Sequence, residues 1–257
     1  MPQKMTVPSL WALKAAGEPI VCVTAYDAVS GALADAAEPD LILVGDSVGN
    51  VVLGYETTVP VTLDVMLHHL AAVRRSVRRA VLVADMPFGS YGASVDQALR
   101  SAVALMQAGA EAVKLEGDYP EEIAAMVKAG IPVMGHVGMT PQSVHNFGGF
   151  KVQGRGDAGR HVLDAAQSVA SAGAFSIVLE LIPSELAAEI TAAVLPPTIG
   201  IGAGPHCSGQ IQVFHDLVGL TPFRLKHAKR YCEGMDILGS ALKSYVTDTK
   251  GGTFPTE

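Results

Sequence analysis

Short apolar runs that end in a single acidic residue recur along the chain. The clearest is residues 41–44, LILV, followed by Gly45, Asp46 and Ser47. A continuous apolar run of this length predicts a strand buried on both faces, and the acid after it lies where a parallel strand ends. Runs closed in the same way by one carboxylate occupy residues 80–85, 112–116 and 176–180. Acids at the same end of successive strands predict a shared site.

Helical patterns alternate with the predicted strands. We expect strands at residues 20–25, 41–44, 80–85, 112–116, 132–135, 176–179, 198–201 and 211–214. We expect helices at residues 10–16, after 27 to about 37, from 62 onward, and at 94–107, 120–128, 157–172 and 184–193. Turns before the strands are short, whereas residues 45–60 and 138–156 form long loops after two of them.

Eight strands alternating with helices predict a (β/α)₈ barrel, an α/β fold whose working face lies at the carboxyl ends of the strands. A doubly wound open sheet has the same local alternation. The barrel is preferred because the candidate polar groups follow six different strands and do not cluster at one switch point. The helix at residues 10–16 is expected to close the bottom of the barrel, and residues 1–257 are expected to form one domain.

Composition and charge narrow the function classes. The hydrophobic fraction of 49%, with 27 glycines and 15 prolines, indicates a folded core with many tight turns. No apolar stretch approaches the ~18 residues of a membrane span, so no membrane partner is expected. The net charge of −7 argues against a nucleic-acid partner, because no basic stripe is available to neutralise phosphates.

The cysteines and the amino terminus indicate a reducing compartment. Cys22, Cys207 and Cys232 are an odd number without CxxC spacing, which predicts neither a disulfide framework nor a zinc site. The first residues lack the apolar core of a signal peptide. We therefore expect a cytoplasmic protein.

Three acids follow neighbouring strands and should converge at the barrel mouth. Asp46, Asp85 and Glu116 come after the second, third and fourth predicted strands. Crowded carboxylates repel one another unless a cation lies among them. Oxygen ligands without partnering cysteines favour magnesium or a similar hard ion. The sequence thus predicts a metal site formed by these acids.

Three further residues carry candidate chemistry at the same end of the barrel. Lys114 stands two residues before Glu116, so both side chains share a face of one strand. The lysine either forms a buried ion pair with that acid or binds the carboxylate of an anionic ligand. His136, after the fifth strand, is either a structural hydrogen-bonding residue or part of a polar ring. Glu180 follows the sixth strand, across the mouth from the three acids, and is a candidate general base.

Seven longer motifs occur in order along the chain, within a likeness that extends from about residue 6 to the final helix. They are VTAYD (23–27), VGDSVGNVVLGYETTVPVT (44–62), ADMPFGSY (84–91), VKLEG (113–117), GHVGMTPQ (135–142), GGFKVQGR (148–155) and GIGAGP (200–205). Together they resemble the 3-methyl-2-oxobutanoate hydroxymethyltransferases, also called ketopantoate hydroxymethyltransferases. The chain departs from the family's usual turn ending in DGQ at His206, Cys207 and Ser208.

The resemblance implies a TIM barrel of the phosphoenolpyruvate/pyruvate superfamily that binds Mg²⁺. It implies transfer of a hydroxymethyl group from 5,10-methylenetetrahydrofolate to 3-methyl-2-oxobutanoate, giving 2-dehydropantoate and tetrahydrofolate in the first step of pantothenate biosynthesis. It also implies a homo-oligomer, usually a homodecamer. The alternatives are a phosphonopyruvate mutase or isocitrate-lyase-like C–C lyase, and a barrel that binds a keto acid without catalysis. The absence of cysteine between Cys22 and Cys207 disfavours the lyases, which typically carry a catalytic cysteine loop.

The resemblance also implies roles for particular residues. The metal-site acids, bound directly or through water, are Asp46, Asp85 and Glu116. The keto-acid contacts are Asp46, Ser47, Asp85 and Lys114, with His136 as their neighbour. Glu180 is the proton acceptor, so the resemblance and the residue pattern place the same acid in the same role.

Overall fold

The computed structural model of the chain describes residues 3–256. Within that range eight parallel strands close into a barrel, each hydrogen-bonded to the next and β8 to β1. The strands are β1 Ile20–Thr24, β2 Leu41–Val44, β3 Val81–Asp85, β4 Ala112–Lys114, β5 Val133–Gly138, β6 Ser176–Glu180, β7 Thr198–Ile201 and β8 Gly209–Gln212. The predicted (β/α)₈ barrel is confirmed, and the doubly wound sheet is wrong.

Helices alternate with the strands along the described part of the chain. They are α1 Val7–Ala16, α2 Ala28–Ala36, α3 Val48–Val51, α4 Leu63–Arg74, α5 Val95–Gln107, α6 Pro120–Lys128, α7 Val144–Phe147, α8 Gly159–Ser171, α9 Ser184–Ala193, α10 Phe214–Leu217 and α11 Gly234–Lys250. Local sequence explains where they begin: in α5 the Ser94 side chain accepts a hydrogen bond from the Gln97 N–H. Buried Ala98, Ala102 and Leu105 follow at helical spacing and face the sheet.

The lower half of the barrel interior is apolar and is closed by α1. Leu10 of α1 packs in one buried cluster with Ile20, Leu41 and Val81, which lie at the amino ends of β1, β2 and β3. The expectation that an amino-terminal helix closes the bottom is therefore confirmed. With this end sealed, ligands can reach the interior only from the carboxyl ends of the strands.

Strand β8 begins two residues earlier than its hydrophobic pattern predicts. The expected strand was 211–214, but the structure pairs Gly209 with Ile20 of β1 and Ile199 of β7. Gln210 is exposed and Gln212 half-buried, so the outward positions of this strand are polar and the apolar run does not mark its start. Phe214, the end of the predicted strand, instead begins α10.

Gly209 is expected to be essential for closing the barrel. A Cβ at this position would lie 2.3 Å from the carbonyl oxygen of Ile20 and 2.9 Å from Ile199 Cδ1. Backbone cannot move aside cheaply, so we expect Gly209→Ala to destabilise the fold by about 3 kcal/mol, lowering the melting temperature by roughly 5–10 °C. Scanning calorimetry measures this shift.

Gly239→Ala is the matched control for that experiment. Gly239 lies within α11 and nothing would meet its added Cβ within 4 Å. Alanine favours helix over glycine, so the melting temperature should stay equal or rise. Equal melting temperatures for the Gly209 variant and the wild type would contradict the packing argument.

The described chain forms two compact units, residues 3–212 and residues 213–256. The first is the barrel, and the second contains α10 and α11. Along α11 the side chains of Met235, Leu238, Leu242 and Tyr245, spaced three or four residues apart, are more than half exposed. They form one apolar stripe on this helix. None of the described helices is long and apolar enough to cross a membrane.

Candidate active site

Along each strand, every second side chain faces the barrel interior. These inward-facing side chains are apolar in the lower barrel and polar at its mouth. Inward-facing Val83, Ala112, Met134 and Val178 belong to the buried core cluster. Side chains two residues further along a strand face the same way. These next inward positions are occupied by Asp85, Lys114, His136 and Glu180, and Glu116 follows Lys114 on the same face. The structure thus brings the predicted polar residues of β3 to β6 together.

Lys114 is buried and is held by two of the acids. Its Nζ lies 2.5 Å from Asp85 Oδ1 and 3.5 Å from Glu116 Oε1. The nearer partner, Asp85, lies on the neighbouring strand, because Asp85 and Lys114 are paired in register between β3 and β4. Burial lowers the pKa of the Lys114 amine, but Asp85, Glu116 and Asp46 outweigh it and raise the pKa overall. The ammonium is therefore firmly charged.

Asp46 lies where the negative charge is least compensated. Its main-chain N–H donates to Asp85 Oδ2 at 3.0 Å, which brings the ends of β2 and β3 together. Burial and repulsion from Asp85 and Glu116 raise the pKa of Asp46 well above its usual range, and burial also raises that of Asp85. In contrast, Lys114 and His136 overcome burial and lower the pKa of Glu116.

His136 lies between the acid cluster and Glu180. Its Nδ1 is 3.4 Å from Glu116 Oε1, and its Nε2 is 3.3 Å from Glu180 Oε2. These are ion-pair contacts, and neither ring nitrogen makes a shorter hydrogen bond within residues 3–256. Burial lowers the pKa of His136, but contact with Glu116 outweighs it and the pKa is raised to about 9. At neutral pH the ring is protonated and links the two sides of the mouth.

The backbone around Glu180 is held on both sides. Its carbonyl oxygen accepts a hydrogen bond from the Met139 N–H, and the next residue, Leu181, donates to the Ile201 carbonyl. Leu181 adopts a left-handed conformation with φ 45°. Gly138 also has a positive φ of 98°, and a Cβ there would lie 2.4 Å from the Glu180 carbonyl oxygen. The Glu180 side chain remains partly accessible, with 15% of its surface exposed.

Ser47 lies at the same mouth and is held there by contacts that the sequence pattern does not predict. Its Oγ lies 2.8 Å from the hydroxyl of Tyr26, a fully buried residue after β1. A Cβ on Gly45 would lie 2.9 Å from Ser47 Oγ and 3.5 Å from Asp85 Oδ2. Gly45 therefore lets the backbone approach a hydroxyl and a carboxylate of the site closely, which a larger residue would not allow.

Sequence reasoning did not assign roles to two residues that touch the acids. Buried Gln142 donates from Nε2 to Asp46 Oδ2 at 2.8 Å and from its main-chain N–H to Glu116 Oε2 at 3.0 Å. Tyr91 accepts a hydrogen bond from the Glu116 N–H. Both lie in loops after strands, where no periodic pattern indicates which side chain turns inward. Pro141, which begins the 3₁₀ helix Pro141–Ser143, was the available signal for a turn at Gln142.

The residues present fit a divalent cation in their chemistry. Four carboxylates, those of Asp46, Asp85, Glu116 and Glu180, are accompanied by two cationic groups, Lys114 and His136. Within residues 3–256, no three His, Cys, Asp or Glu side chains are so arranged that they could hold a metal ion by themselves. Magnesium is commonly held by one or two carboxylates, with water and substrate completing its coordination. The excess of carboxylates over cationic groups suits such a site, and the metal site stays a prediction.

Solved structures that are similar in fold carry the same barrel. A phosphoenolpyruvate phosphomutase from Streptomyces platensis subsp. rosaceus matches with a TM-score of 0.66 at 14% identity, covering 96% of this chain and 88% of that chain. A phosphonopyruvate hydrolase solved with oxalate and Mg²⁺ matches with a TM-score of 0.65 at 14% identity and the same coverage. Fold and site define the class: a (β/α)₈ barrel that gathers charged side chains at the carboxyl ends of its strands.

Sequence comparison identifies the family within that class. The family model for ketopantoate hydroxymethyltransferase matches residues 4–257. The 3-methyl-2-oxobutanoate hydroxymethyltransferase of Carboxydothermus hydrogenoformans is 50% identical, covering 99% of this chain and 94% of its own length. That of Ralstonia nicotianae is also 50% identical, covering 98% and 93%. The chain therefore belongs to the ketopantoate hydroxymethyltransferase family, and the predicted pantothenate-pathway hydroxymethyltransferase activity is confirmed over the mutase or lyase alternative.

Proposed function

We propose that this enzyme uses Mg²⁺ and takes the hydroxymethyl group of 5,10-methylenetetrahydrofolate, transferring it to C3 of 3-methyl-2-oxobutanoate by an aldol-type reaction. The observation that carries the proposal is the division of the mouth by His136. On one side are Lys114 and three buried carboxylates, and on the other is Glu180, which keeps an exposed edge. One side suits binding of an anionic keto acid and its cation, and the other suits proton removal.

The residues around Lys114 would bind the keto acid. Lys114 carries a buried, charged ammonium on the inner wall, where it contacts Asp85 and Glu116. It would also pair with the carboxylate of an entering keto acid. Ser47 offers a hydroxyl close to Gly45 and to the Asp85 carboxylate. Asp46 adjoins them through its main-chain hydrogen bond to Asp85. A net acidic protein needs such a local positive centre to bind an anionic substrate.

Glu180 would accept the C3 proton. Its carboxylate contacts His136 through Oε2, so the second oxygen is free of that contact and can face the substrate. The protonated ring of His136 holds the carboxylate in place and balances its charge. General bases positioned in this way contribute roughly 10²–10⁴-fold to rate.

Asp46 and Asp85 would hold the magnesium ion, with Glu116 directly or through water. When bound, the ion supplies positive charge for the carboxylate and keto oxygens of the substrate and for the negative charge that develops on the keto oxygen. Within the protein, the same cation would relieve the repulsion that raises the pKa of Asp46.

We also propose a cytoplasmic homo-oligomer, with the homodecamer implied by the resemblance as its form. The exposed apolar stripe of α11, formed by Met235, Leu238, Leu242 and Tyr245, supports association with further copies of the chain. Separately, Val29 and Leu33 on α2 leave most of their apolar surface exposed. Three free cysteines support a reducing compartment.

The proposed function is tested by an assay with and without a chelator. We expect 3-methyl-2-oxobutanoate and 5,10-methylenetetrahydrofolate to give 2-dehydropantoate, detected by mass spectrometry. EDTA should lower turnover by roughly 100-fold or more, because the developing oxygen charge loses its counter-ion. Excess Mg²⁺ should restore it, and chelator already saturated with Mg²⁺ is the control. Undiminished turnover in EDTA would contradict the metal, and no product with Mg²⁺ present would contradict the donor.

A further inference from the structure

Gln142 links two carboxylates that come from distant strands. Its side chain reaches Asp46, which follows β2, and its main chain reaches Glu116, which follows β4. The residue is buried and lies in the 3₁₀ helix after β5. A single residue of one loop therefore sets how the two acids lie relative to each other.

The neighbours of Gln142 determine which way its amide points. The Tyr91 hydroxyl accepts from the Glu116 N–H at 3.0 Å and donates to Gln142 Oε1 at 2.6 Å, with the Glu116 carbonyl as a longer second acceptor at 3.2 Å. The Met86 carbonyl, which can only accept, takes a hydrogen bond from Gln142 Nε2 at 3.0 Å. The Met86 contact requires the amide nitrogen to face Asp46, whose carboxylate then receives a donor, and the short contact from Tyr91 to Oε1 agrees with this orientation.

Tyr91 is itself fixed by packing. Its ring meets that of Tyr119 edge to face, with centroids 5.3 Å apart. Gly92 and Gly117 both take positive φ, and a Cβ on either would approach the Tyr119 ring to 3.1 and 3.0 Å. The orientation of the Gln142 amide therefore rests on a closely packed aromatic pair.

We propose that Gln142, oriented by Tyr91, is a positioning residue that fixes Asp46 and Glu116 for divalent-cation binding. The inference rests on the proposed function, since it concerns the cation site named there. The Gln142 amide donates to Asp46 Oδ2 at 2.8 Å and the Gln142 main-chain N–H donates to Glu116 Oε2 at 3.0 Å, so one residue fixes how both carboxylates point. Losing a partner that orients a metal ligand typically weakens metal affinity by 10–100-fold.

The test replaces Gln142 by methionine, which has similar length but neither donor nor acceptor. Binding of Mn²⁺, without substrates, is measured by calorimetry on the full chain. We expect Gln142→Met to raise the Mn²⁺ Kd by about 10–100-fold. The Mg²⁺ concentration for half-maximal turnover should rise similarly, while kcat at saturating Mg²⁺ stays within about threefold, because the residue acts through the cation site.

Two further variants control the experiment. Gln210→Met makes the same replacement at a glutamine whose amide donates to the Gly204 carbonyl, away from the acids, and should leave the Mn²⁺ Kd unchanged. Tyr91→Phe removes only the hydroxyl that orients the amide, and should weaken Mn²⁺ binding in the same direction by a smaller factor.

The possible results separate this inference from the proposed function. Unchanged Mn²⁺ affinity in Gln142→Met, or a loss of kcat that saturating Mg²⁺ does not restore, overturns the positioning role. Asp46→Asn tests the cation site itself. If Asp46→Asn weakens Mn²⁺ binding and Gln142→Met does not, only the positioning role fails. If wild type and Asp46→Asn bind Mn²⁺ equally, or wild type does not bind it, the proposed cation site fails and the positioning role fails with it.

Discussion

Replacing Glu180 by glutamine is expected to lower kcat by roughly 10²-fold or more while leaving the affinity for 3-methyl-2-oxobutanoate within about threefold. The amide has the size of the carboxylate but cannot accept the C3 proton. The Lys114 and Asp85 side of the mouth, where the keto acid is proposed to bind, is not altered. The direct measurement is exchange of the substrate C3 proton with deuterated solvent, followed by NMR without the folate.

Glu185→Gln is the matched control for the Glu180 variant. Glu185 lies five residues later in the first turn of α9 and is exposed. It should exchange the C3 proton and turn over at the wild-type rate. Exchange at the wild-type rate in Glu180→Gln would remove Glu180 from the role of base, whatever the overall turnover.

Replacing Lys114 by methionine is expected to have the largest effect on stability. The change keeps much of the side-chain volume but leaves Asp85 and Glu116 buried without their ammonium partner. Removing one member of a buried ion pair costs roughly 3–5 kcal/mol, which chemical denaturation followed by circular dichroism can measure. Keto-acid binding should be lost as well, because the proposed counter-charge for its carboxylate is gone.

Lys4→Met is a suitable control, because the same substitution breaks an accessible ion pair. Lys4 Nζ lies 2.7 Å from Glu111 Oε2, with about a third of each side chain exposed. Solvent screens this pair, so we expect a loss of about 1 kcal/mol or less.

A second substitution tests whether the Lys114 effect is electrostatic. Asp85→Asn removes one of the charges that Lys114 balances, so the double variant should be more stable than the sum of the single losses predicts. Strict additivity would indicate lost packing. A cost for Lys114→Met no larger than that for Lys4→Met would contradict the buried-pair argument.

The fold and the inward-facing acids could be predicted because they depend on period and order. Each strand alternates strictly, so Lys114 and Glu116 had to share a face. Eight strands joined by helices had to place their carboxyl ends together. The start of β8 could not be predicted, because Gln210 and Gln212 weaken its apolar pattern. Its first residue, Gly209, is required by the close approach to Ile20, which no sequence pattern shows.

Contacts that depend on register or loop conformation were beyond the sequence. The sequence offers Glu116 as one possible partner of Lys114, whereas pairing of β3 with β4 places Asp85 closer, at 2.5 Å against 3.5 Å for Glu116. Gln142 and Tyr91 lie in loops whose course is set by glycine conformations and aromatic packing. No local pattern specifies that a loop after β5 returns to Asp46.

The left-handed backbone of Leu181 links the stability of the barrel to the orientation of Glu180, the proposed base. A leucine in this conformation costs on the order of 1–3 kcal/mol, which the surrounding sheet hydrogen bonds must offset. Relieving that backbone strain would make the protein more stable but would leave the Glu180 carboxylate less well oriented. A change at this peptide unit that raises the thermal stability is therefore expected to lower the catalytic rate.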